Sequence, residues 1–215
     1  MLELAALPER ISVNAHSSVR LELAGKVIRV DPLSLRDSPR DADLIFFTHE
    51  HFDHFSPDDT ARVEKPDSVF VLPASMAEKA APVIGTRRSI PVTPGDRGEI
   101  DGLRFEAVPA YNPGKRFHPR AKGWVGYVLE AEGLRVYIAG DTDATPEAAA
   151  VRCDLAMLPI GGTYTMDAAE AAALANRIRP ALVIPIHYGS VAGSAEDFGR
   201  FAAEVDAGIR VIKKI

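Results

Sequence analysis

The segment at residues 48–54, Thr-His-Glu-His-Phe-Asp-His, contains three of the chain's six histidines. His49 and His51 are two residues apart, so their side chains point to the same side of an extended backbone. Asp53 and His54 follow directly, where the chain is expected to turn. Imidazoles and carboxylates are ligands for zinc, iron and manganese. The spacing therefore predicts that the first two histidines bind one metal ion and that Asp53 and His54 reach toward a second.

Two further candidate ligands follow predicted strands elsewhere in the chain. Asp141 comes after the apolar segment RVYIAG, and His187 comes directly after LVIPI. In open α/β sheets, functional sites form beyond the carboxyl ends of strands, and a carboxylate there could bridge two metal ions. Taken alone, Asp141 fits an ordinary turn residue and His187 fits a hydrogen-bonded structural histidine. The cluster at residues 48–54 favours ligation for both.

Short strands and capped helices are predicted around these residues. The segments SVRLEL and KVIRVD indicate a hairpin that turns at Ala24-Gly25, and DLIFFT indicates a buried strand that ends at the histidine cluster. A helix over ASMAEKAAPVI is expected to close at Pro82 and Gly85. Further helices are expected where an N-cap residue precedes proline or acidic residues, at Ser56, Thr145, Asp167 and Ser194.

Length and charge limit the class of protein. The 215 residues suffice for one domain over residues 1–215. A balance of 25 basic and 30 acidic residues, net −5, favours neither a nucleic-acid nor a membrane partner. The single cysteine, Cys153, excludes an intrachain disulfide and fits a reducing compartment. Without a signal-peptide pattern or an apolar run of roughly 20 residues, the chain is predicted to be cytoplasmic, with a small-molecule substrate.

This set of residues resembles the metallo-β-lactamase fold superfamily of metal-dependent hydrolases. Order and rough spacing match from residue 11 to 190. The residues that carry the resemblance are Asp31 in IRVDP, the HxHxDH motif at 49–54, Asp141 in AGDTD and His187 in IPIHYG. The segments NAHSS, GDTD, PIGGTYTMD and IPIHYG are most similar to the branch that includes ascorbate-6-phosphate lactonase and N-acylphosphatidylethanolamine phospholipase D. The resemblance implies an α/β fold, a four-layer αβ/βα sandwich of two stacked mixed sheets with flanking helices, and metals at one edge.

The chain departs from the family pattern at one position. Asn112 in FEAVPAYN stands where the family usually has a further metal-binding histidine. An asparagine offers only a neutral oxygen, which is a weak ligand for zinc. His118 lies six residues further on, and we expect it to loop back and complete the first metal site. The alternatives are ligation by Asn112, which would favour manganese or magnesium, and a site with one weakly held ion.

The resemblance implies two divalent metal ions, zinc foremost, with manganese or iron as alternatives. Two adjacent cations lower the pKa of a shared water from about 15.7 to roughly 7, which supplies a metal-bound hydroxide to attack a carbonyl carbon or a phosphorus. Asp53 is expected to hold the second ion and orient this nucleophile, and Asp141 to bridge. His16 and Asp31 are expected to orient ligand imidazoles, although His16 fits a surface strand end equally well.

The loop NPGKRFHPRAKG carries four basic residues and no acid. Beside a metal edge this composition suggests an anionic substrate group, although a solvated basic loop fits it equally well. The segment GGTYTM, residues 161–166, also follows a predicted strand and is expected to line the pocket. The candidate substrate contacts are Asn112, Lys115, Arg116, Thr163 and Tyr164, whereas Trp124 is expected to be a core residue.

The leading functional prediction is a hydrolase that cleaves a small, anionic ester, lactone or phosphodiester substrate, with the anionic character inferred from the basic loop at residues 112–123. The alternative is a metal-binding redox or sensor protein, because the same scaffold can hold a di-iron centre. That class normally brings a flavin domain or a partner, and the sequence supplies neither.

Overall fold

The computed structural model describes residues 3–215, and its first sheet has six strands in chain order across the sheet. They are β1 (Ile11–Val13), β2 (Val19–Leu23), β3 (Lys26–Val30), β4 (Ala42–Phe46), β5 (Glu64–Pro73) and β6 (Ser89–Val92). Strands β1 to β3 are antiparallel, and β3 to β6 are parallel. The predicted hairpin is confirmed between β2 and β3. Ala24 and Gly25 both have left-handed φ angles, 56° and 67°, as a tight two-residue hairpin turn requires.

The second sheet has seven strands and repeats this plan. They are β7 (Arg97–Ile100), β8 (Leu103–Pro109), β9 (Val125–Ala131), β10 (Leu134–Ile138), β11 (Leu155–Pro159), β12 (Leu182–Ile186) and β13 (Arg210–Val211). Strands β7 to β10 are antiparallel, and β10 to β13 are parallel. Each sheet therefore begins with hairpins and continues with parallel strands whose carboxyl ends point to one edge.

Helices cover the outer face of each sheet. They are α1 (Pro57–Val63), α2 (Ala77–Ile84), α3 (Pro146–Ala150), α4 (Ala168–Ile178) and α5 (Asp197–Glu204). One apolar cluster packs α1 and α2 against the first sheet, and another packs α3, α4 and α5 against the second. Within residues 3–215, no helix combines the length and the apolar composition needed to cross a bilayer.

The main core lies between the two sheets. It contains apolar side chains from both inner faces. Phe46 of the first sheet meets Phe105 and Tyr127 of the second edge to face, with ring centroids 5.8 and 4.9 Å apart. The buried Tyr127 hydroxyl donates a hydrogen bond to the Phe47 carbonyl at 2.8 Å. The order helix, sheet, sheet, helix confirms the predicted four-layer sandwich.

Most of the predicted helix starts are confirmed. Ser56, Thr145 and Asp167 each accept a hydrogen bond from a backbone N–H of the first turn. The prediction for Ser194 was wrong, because α5 begins at Asp197 and Ser194 instead donates its own N–H to the Asp197 carboxylate at 2.6 Å. Pro82 lies inside α2, which continues to Ile84 and ends at Gly85. A proline in the last turn removes one helical hydrogen bond without ending the helix.

Left-handed backbone marks the turns that present the polar side chains at the sheet edge. His16, Asp31 and His187 have φ angles of 53°, 47° and 57°. This conformation costs an L-residue roughly 1–2 kcal/mol and persists where surrounding contacts fix it. Here the His187 N–H donates to the His16 carbonyl at 3.0 Å, and the Asp31 N–H donates to the Phe46 carbonyl at 3.0 Å. These bonds turn the strand ends toward one shared site.

Candidate metal centre

Three imidazoles form the first group at this edge. His49 and His51 follow β4, and His118 comes from the loop after β8. One ring nitrogen from each lies within 4.8 Å of the other two. The His49 Nε2 and His51 Nδ1 atoms are 3.1 Å apart. The structure therefore brings together the three histidines that the sequence assigned to the first metal ion.

The second group contains Asp53, His54 and His187, with His16 beside them. Ligand-type atoms of these four residues all lie within 4.8 Å of one another. The Asp53 Oδ2 atom is 3.7 Å from Nε2 of both His54 and His187. The same oxygen is 3.2 Å from His16 Nε2. His16 is buried, so the surface alternative for this residue was wrong.

Asp141 lies between the two groups. Its Oδ1 atom is 3.1 Å from His54 Nε2, and its Oδ2 atom is 3.1 Å from His187 Nε2. The same Oδ2 is 3.2 Å from His118 Nε2 and 3.9 Å from His49 Nε2. One carboxylate therefore faces imidazoles of both groups, as a bridging ligand must.

A closed loop brings His118 back to the end of β8, beside Asn112. The Asn112 N–H donates to the His118 carbonyl at 2.9 Å, so the backbone of His118 lies beside the end of β8. Between them, the Lys115 N–H donates to the Asn112 carbonyl at 3.3 Å, and Gly114 has a φ of 77°. Proline followed by a left-handed glycine is typical of a type II turn. The loop from Asn112 to His118 therefore closes on the end of β8.

Side chains hold this loop against the neighbouring strand ends. Lys115 donates to Asp143 Oδ1 at 2.6 Å and to the Thr165 carbonyl at 2.7 Å. Asn112 Nδ2 donates to the same Asp143 oxygen at 2.8 Å. Both side chains were candidate substrate contacts, and their contacts in this structure are with the protein itself. They position the loop that carries His118.

A second set of hydrogen bonds orients the imidazoles after β4. Asp31 is buried and accepts from the Thr48 N–H at 2.8 Å, from the Thr48 hydroxyl at 2.6 Å and from His54 Nδ1 at 2.8 Å. The Thr48 oxygen also lies 3.0 Å from His49 Nδ1. These contacts engage Nδ1 of both rings and leave each Nε2 facing the centre, the orientation that a metal ligand needs.

Burial and charge act differently on the imidazoles. Burial lowers the pKa of His49 well below its ordinary value and also lowers that of His51. Both rings are therefore neutral at pH 7, which is the form that binds metals. Burial would lower the pKa of His54 too, but the carboxylates of Asp141 and Asp31 raise it well above the ordinary value.

The carboxylates of the centre are held in the ionised form. Burial acts to raise the pKa of Asp53, but His16 and His187 beside it hold the pKa below the usual range. Burial likewise acts to raise the pKa of Asp141, and the imidazoles of His187 and His54 outweigh it and hold the pKa well below normal. Two buried carboxylates thus place negative charge within 4 Å of the Nε2 atoms of five histidines, His16, His49, His54, His118 and His187.

The polar atoms of the centre fit a divalent metal. Buried atoms that lack a hydrogen-bond partner within residues 3–215 include both ring nitrogens of His118 and His187, Nε2 of His54 and Oδ1 of Asp141. Unsatisfied buried polar atoms are costly unless another group binds them. Two ligands about 2.1 Å from a tetrahedral zinc lie roughly 3.4 Å apart, close to the 3.1–3.2 Å separations around Asp141. The donor set is therefore suited to metal ions.

A cavity of about 400 Å³ opens over the centre. Its floor is formed by the candidate ligands His51, Asp53, His118 and Asp141, and Tyr164 lines its wall. Thr163 is exposed and does not line it, and Arg116 is exposed beside it. The remaining lining residues were not predicted from the sequence, because nothing in their local pattern distinguishes them from core positions: Phe52, Phe117 and Val191.

Trp124 was expected to be a core residue, and it is buried. It also packs against the first group, with ring centroids 5.0, 4.7 and 5.6 Å from those of His49, His51 and His118. Its indole therefore forms an apolar wall that restricts the orientation of all three imidazoles. Its position directly after the basic loop is the only sequence signal for this role.

We expect Gly161→Ala to destabilise the protein and weaken metal binding around His187. A Cβ at position 161 would lie 2.2 Å from the His187 carbonyl oxygen and 3.2 Å from the Ala192 Cβ, so backbone must shift. Overpacking of this kind costs about 1–3 kcal/mol, and each kcal/mol lowers the Tm of a chain this size by about 2–4 °C. Thermal unfolding and metal content measured on the same sample check both effects.

Gly199→Ala is the matched control for that substitution. Gly199 lies within α5, and apart from its chain neighbours and the helix's own backbone no atom lies within 4 Å of the added carbon. Alanine in a helix interior is more favourable than glycine by about 0.5–1 kcal/mol, so its Tm should rise and its metal content stay constant. Equal behaviour of the two variants would show that Gly161 does not position His187.

Comparison with known proteins agrees with this arrangement. A family model described as the beta-lactamase superfamily domain matches residues 10–187. A UPF0173 metal-dependent hydrolase from Thermoplasma acidophilum is 32% identical over 208 residues, which cover 91% of this chain and 91% of the relative. The matched region thus includes every residue of the candidate centre.

Solved structures show the same architecture. A protein of Parabacteroides distasonis, provisionally assigned as a metal-dependent hydrolase, has a TM-score of 0.80 and 34% identity, covering 94% of this chain and 91% of its own. Igni18, a metallo hydrolase from Ignicoccus hospitalis, shares the fold with a TM-score of 0.74 and 24% identity, covering 94% and 93%. The chain is therefore a metal-dependent hydrolase that belongs to the metallo-β-lactamase superfamily and, within it, to the UPF0173 family.

Proposed function

We propose that this hydrolase cleaves a small ester, lactone or phosphodiester and that two divalent ions, zinc in preference to manganese or iron, occupy the centre. The observation that carries the proposal is the position of Asp141, whose two oxygens lie 3.1–3.2 Å from imidazole nitrogens of both groups. His49, His51 and His118 would hold one ion. Asp53, His54 and His187 would hold the other, and Asp141 would bridge.

Bound divalent ions would supply an activated water and polarise the scissile group. The chain's own residues determine where that chemistry takes place. Asp53 lies on the cavity floor with its pKa held below the usual range, so its free carboxylate can accept a hydrogen bond from the attacking water and orient it. His16 donates from Nε2 to this carboxylate at 3.2 Å, and its Nδ1 lies 3.3 Å from Ser190 Oγ. It is therefore a positioning residue for Asp53.

The contacts of the basic loop determine which residue could meet an anionic substrate. Three of its four cations are paired: Lys115 with Asp143 at 2.6 Å, Arg120 with Glu147 at 2.7 Å and Lys122 with Glu50 at 3.1 Å. Within residues 3–215, Arg116 alone among the four has no ion pair. Arg116 is therefore the only one of these four residues left to contact an anionic group of the substrate.

Metal analysis combined with Asp53→Ala tests the proposed function. We expect about two zinc ions per chain, and turnover of p-nitrophenyl acetate, a lactone or bis(p-nitrophenyl) phosphate that a chelator removes and zinc restores. Asp53→Ala should abolish turnover and leave the far-ultraviolet circular dichroism unchanged, because this side chain lies at the cavity and not in the apolar core. Near wild-type turnover in the variant would show that the carboxylate neither holds an ion nor orients water.

Three further proposals concern the location of the protein, its domain organisation and its branch of the superfamily. We place the protein in the cytoplasm, on the basis of its lone cysteine, and we assign residues 1–215 to one domain, on the basis of a core cluster shared by both sheets. We also propose that the chain lies in the branch of the superfamily that includes ascorbate-6-phosphate lactonase, on the basis of the NAHSS and PIGGTYTMD segments.

A further inference from the structure

Apolar side chains are concentrated on the rim of the cavity over the metal centre. Within residues 3–215, four large hydrophobic side chains are exposed: Phe52, Phe117, Val191 and Ile215, with 74%, 49%, 43% and 36% of their surface accessible. The first three line this one cavity. Exposed apolar groups that cluster, instead of lying scattered, mark surfaces that bind a ligand or a partner. We call Phe52, Phe117, Tyr164 and Val191 the apolar rim.

The apolar rim is held in place by the same segments that carry the candidate ligands. Phe52 lies between His51 and Asp53 in the sequence. Phe117 directly precedes His118 and packs edge to face against Tyr164, with ring centroids 5.3 Å apart and planes at 82°. Two aromatic rings in this arrangement stabilise each other. The rim is therefore preformed above the reacting position.

Size and charge identify what the rim would bind. A cavity of about 400 Å³ has the volume of a small-molecule site. The nearby cations Lys115 and Lys122 are paired with acids, and the Arg116 guanidinium lies 5.9 Å from the Phe117 ring, where it packs on the aromatic face. Uncharged aromatic and aliphatic side chains therefore line the cavity together with the candidate ligands.

We propose that the apolar rim is the specificity subsite of the enzyme and binds the neutral, apolar acyl group of a carboxylic ester or lactone. This inference rests on the proposed function. In the reaction, the oxygen of water bonds to the acyl carbon, the bond from that carbon to the leaving oxygen breaks, and one proton of the water passes to the leaving alcohol. Phe52 and Phe117 set the preferred length of the acyl chain.

An ester series with a constant leaving group tests this subsite. For the zinc-loaded enzyme, kcat/KM should rise by about fourfold per added methylene from p-nitrophenyl acetate through butyrate to hexanoate. The mono-p-nitrophenyl ester of adipate, which ends in a carboxylate, should react at least tenfold more slowly than the hexanoate. Phe52→Ala and Phe117→Ala should flatten the chain-length dependence at unchanged zinc content. Ile215→Ala, the exposed apolar residue outside the cavity, should retain it.

A binding measurement on the metal-free protein separates the subsite from the hydrolysis. Neutral ketones from 2-butanone to 2-octanone should shift the amide resonances of Phe52 and Phe117 with affinity that increases with chain length. If the zinc-loaded enzyme hydrolyses no ester, the proposed ester hydrolysis fails, and chain-length-dependent ketone binding still supports the subsite. A flat ester profile, a preference for the adipate ester or ketones that shift neither amide would overturn it. If the protein self-associates and Phe52→Ala or Phe117→Ala abolishes this association but keeps the chain-length dependence, the subsite proposal is also overturned. The rim is then a contact surface for a second copy of the chain.

Discussion

Asp141→Asn is expected to remove most of the bound metal and to lower kcat/KM by more than about 100-fold. Loss of a residue that only orients a ligand typically costs about 10–100-fold in metal affinity or activity, and Asp141 contacts both groups of imidazoles directly. Its Oδ1 and Oδ2 atoms each lie 3.1 Å from a different Nε2. In asparagine one of these positions becomes an NH₂ group, which has no lone pair for a cation. Metal content per folded chain and steady-state kinetics measure the loss.

Asp59→Asn is the matched control, because Asp59 is a buried carboxylate with a purely structural role. It accepts hydrogen bonds from the Ser34 and Leu35 N–H groups at 2.8 and 2.9 Å and from the Ser56 hydroxyl. Replacing one acceptor by a donor should cost about 1–3 kcal/mol of stability and leave metal content per folded chain unchanged. If Asp141→Asn behaves like this control, losing only stability, Asp141 does not bridge the ions.

The parts of the fold that could be predicted from sequence are those fixed by local chemistry. The hairpin at Ala24-Gly25 and the helix starts at Ser56 and Asp167 were predictable because each depends on contacts within a few residues. The cluster after β4 was predictable because an apolar strand must end where polar residues begin. Ser194 shows the limit of this reasoning. A serine before acidic residues resembles an N-cap, but Asp197 captures its N–H and starts the helix later.

The contacts of the site that could not be predicted join residues distant in sequence. Lys115 donates a hydrogen bond to the Thr165 carbonyl, 50 positions away. Its role in holding the His118 loop therefore cannot be predicted from the composition of that loop. The hydrogen bond from Thr48 to Asp31 depends on the parallel pairing of β3 and β4. Phe52 appears in the motif as a spacer between ligands, and only the three-dimensional structure shows its exposure at the cavity.

The ligand role of His118 gives the second large expected effect. His118→Ala should lose one metal ion per chain and more than about 100-fold in kcat/KM, for the same reason that applies to Asp141. Its Nε2 lies 3.2 Å from Asp141 Oδ2, and both ring nitrogens are buried without a hydrogen-bond partner in residues 3–215. A zinc site with only His49 and His51 plus the bridging carboxylate would lack the third protein imidazole. Added imidazole should restore part of the rate, because it can enter the space that the ring vacates.

Asn112→Ala distinguishes this assignment from ligation by the asparagine. The Asn112 side chain donates to Asp143 at 2.8 Å, while its backbone N–H, which alanine retains, holds the His118 carbonyl at 2.9 Å. We therefore expect this variant to keep both ions and lose less than about tenfold in rate, since the loop closure survives. The Asn112 Oδ1 atom is buried without a hydrogen-bond partner in the described chain, so a metal bound there would be lost in the variant. If zinc titration shows one ion lost from Asn112→Ala and none from His118→Ala, the asparagine is the ligand and the loop carries His118 for another purpose.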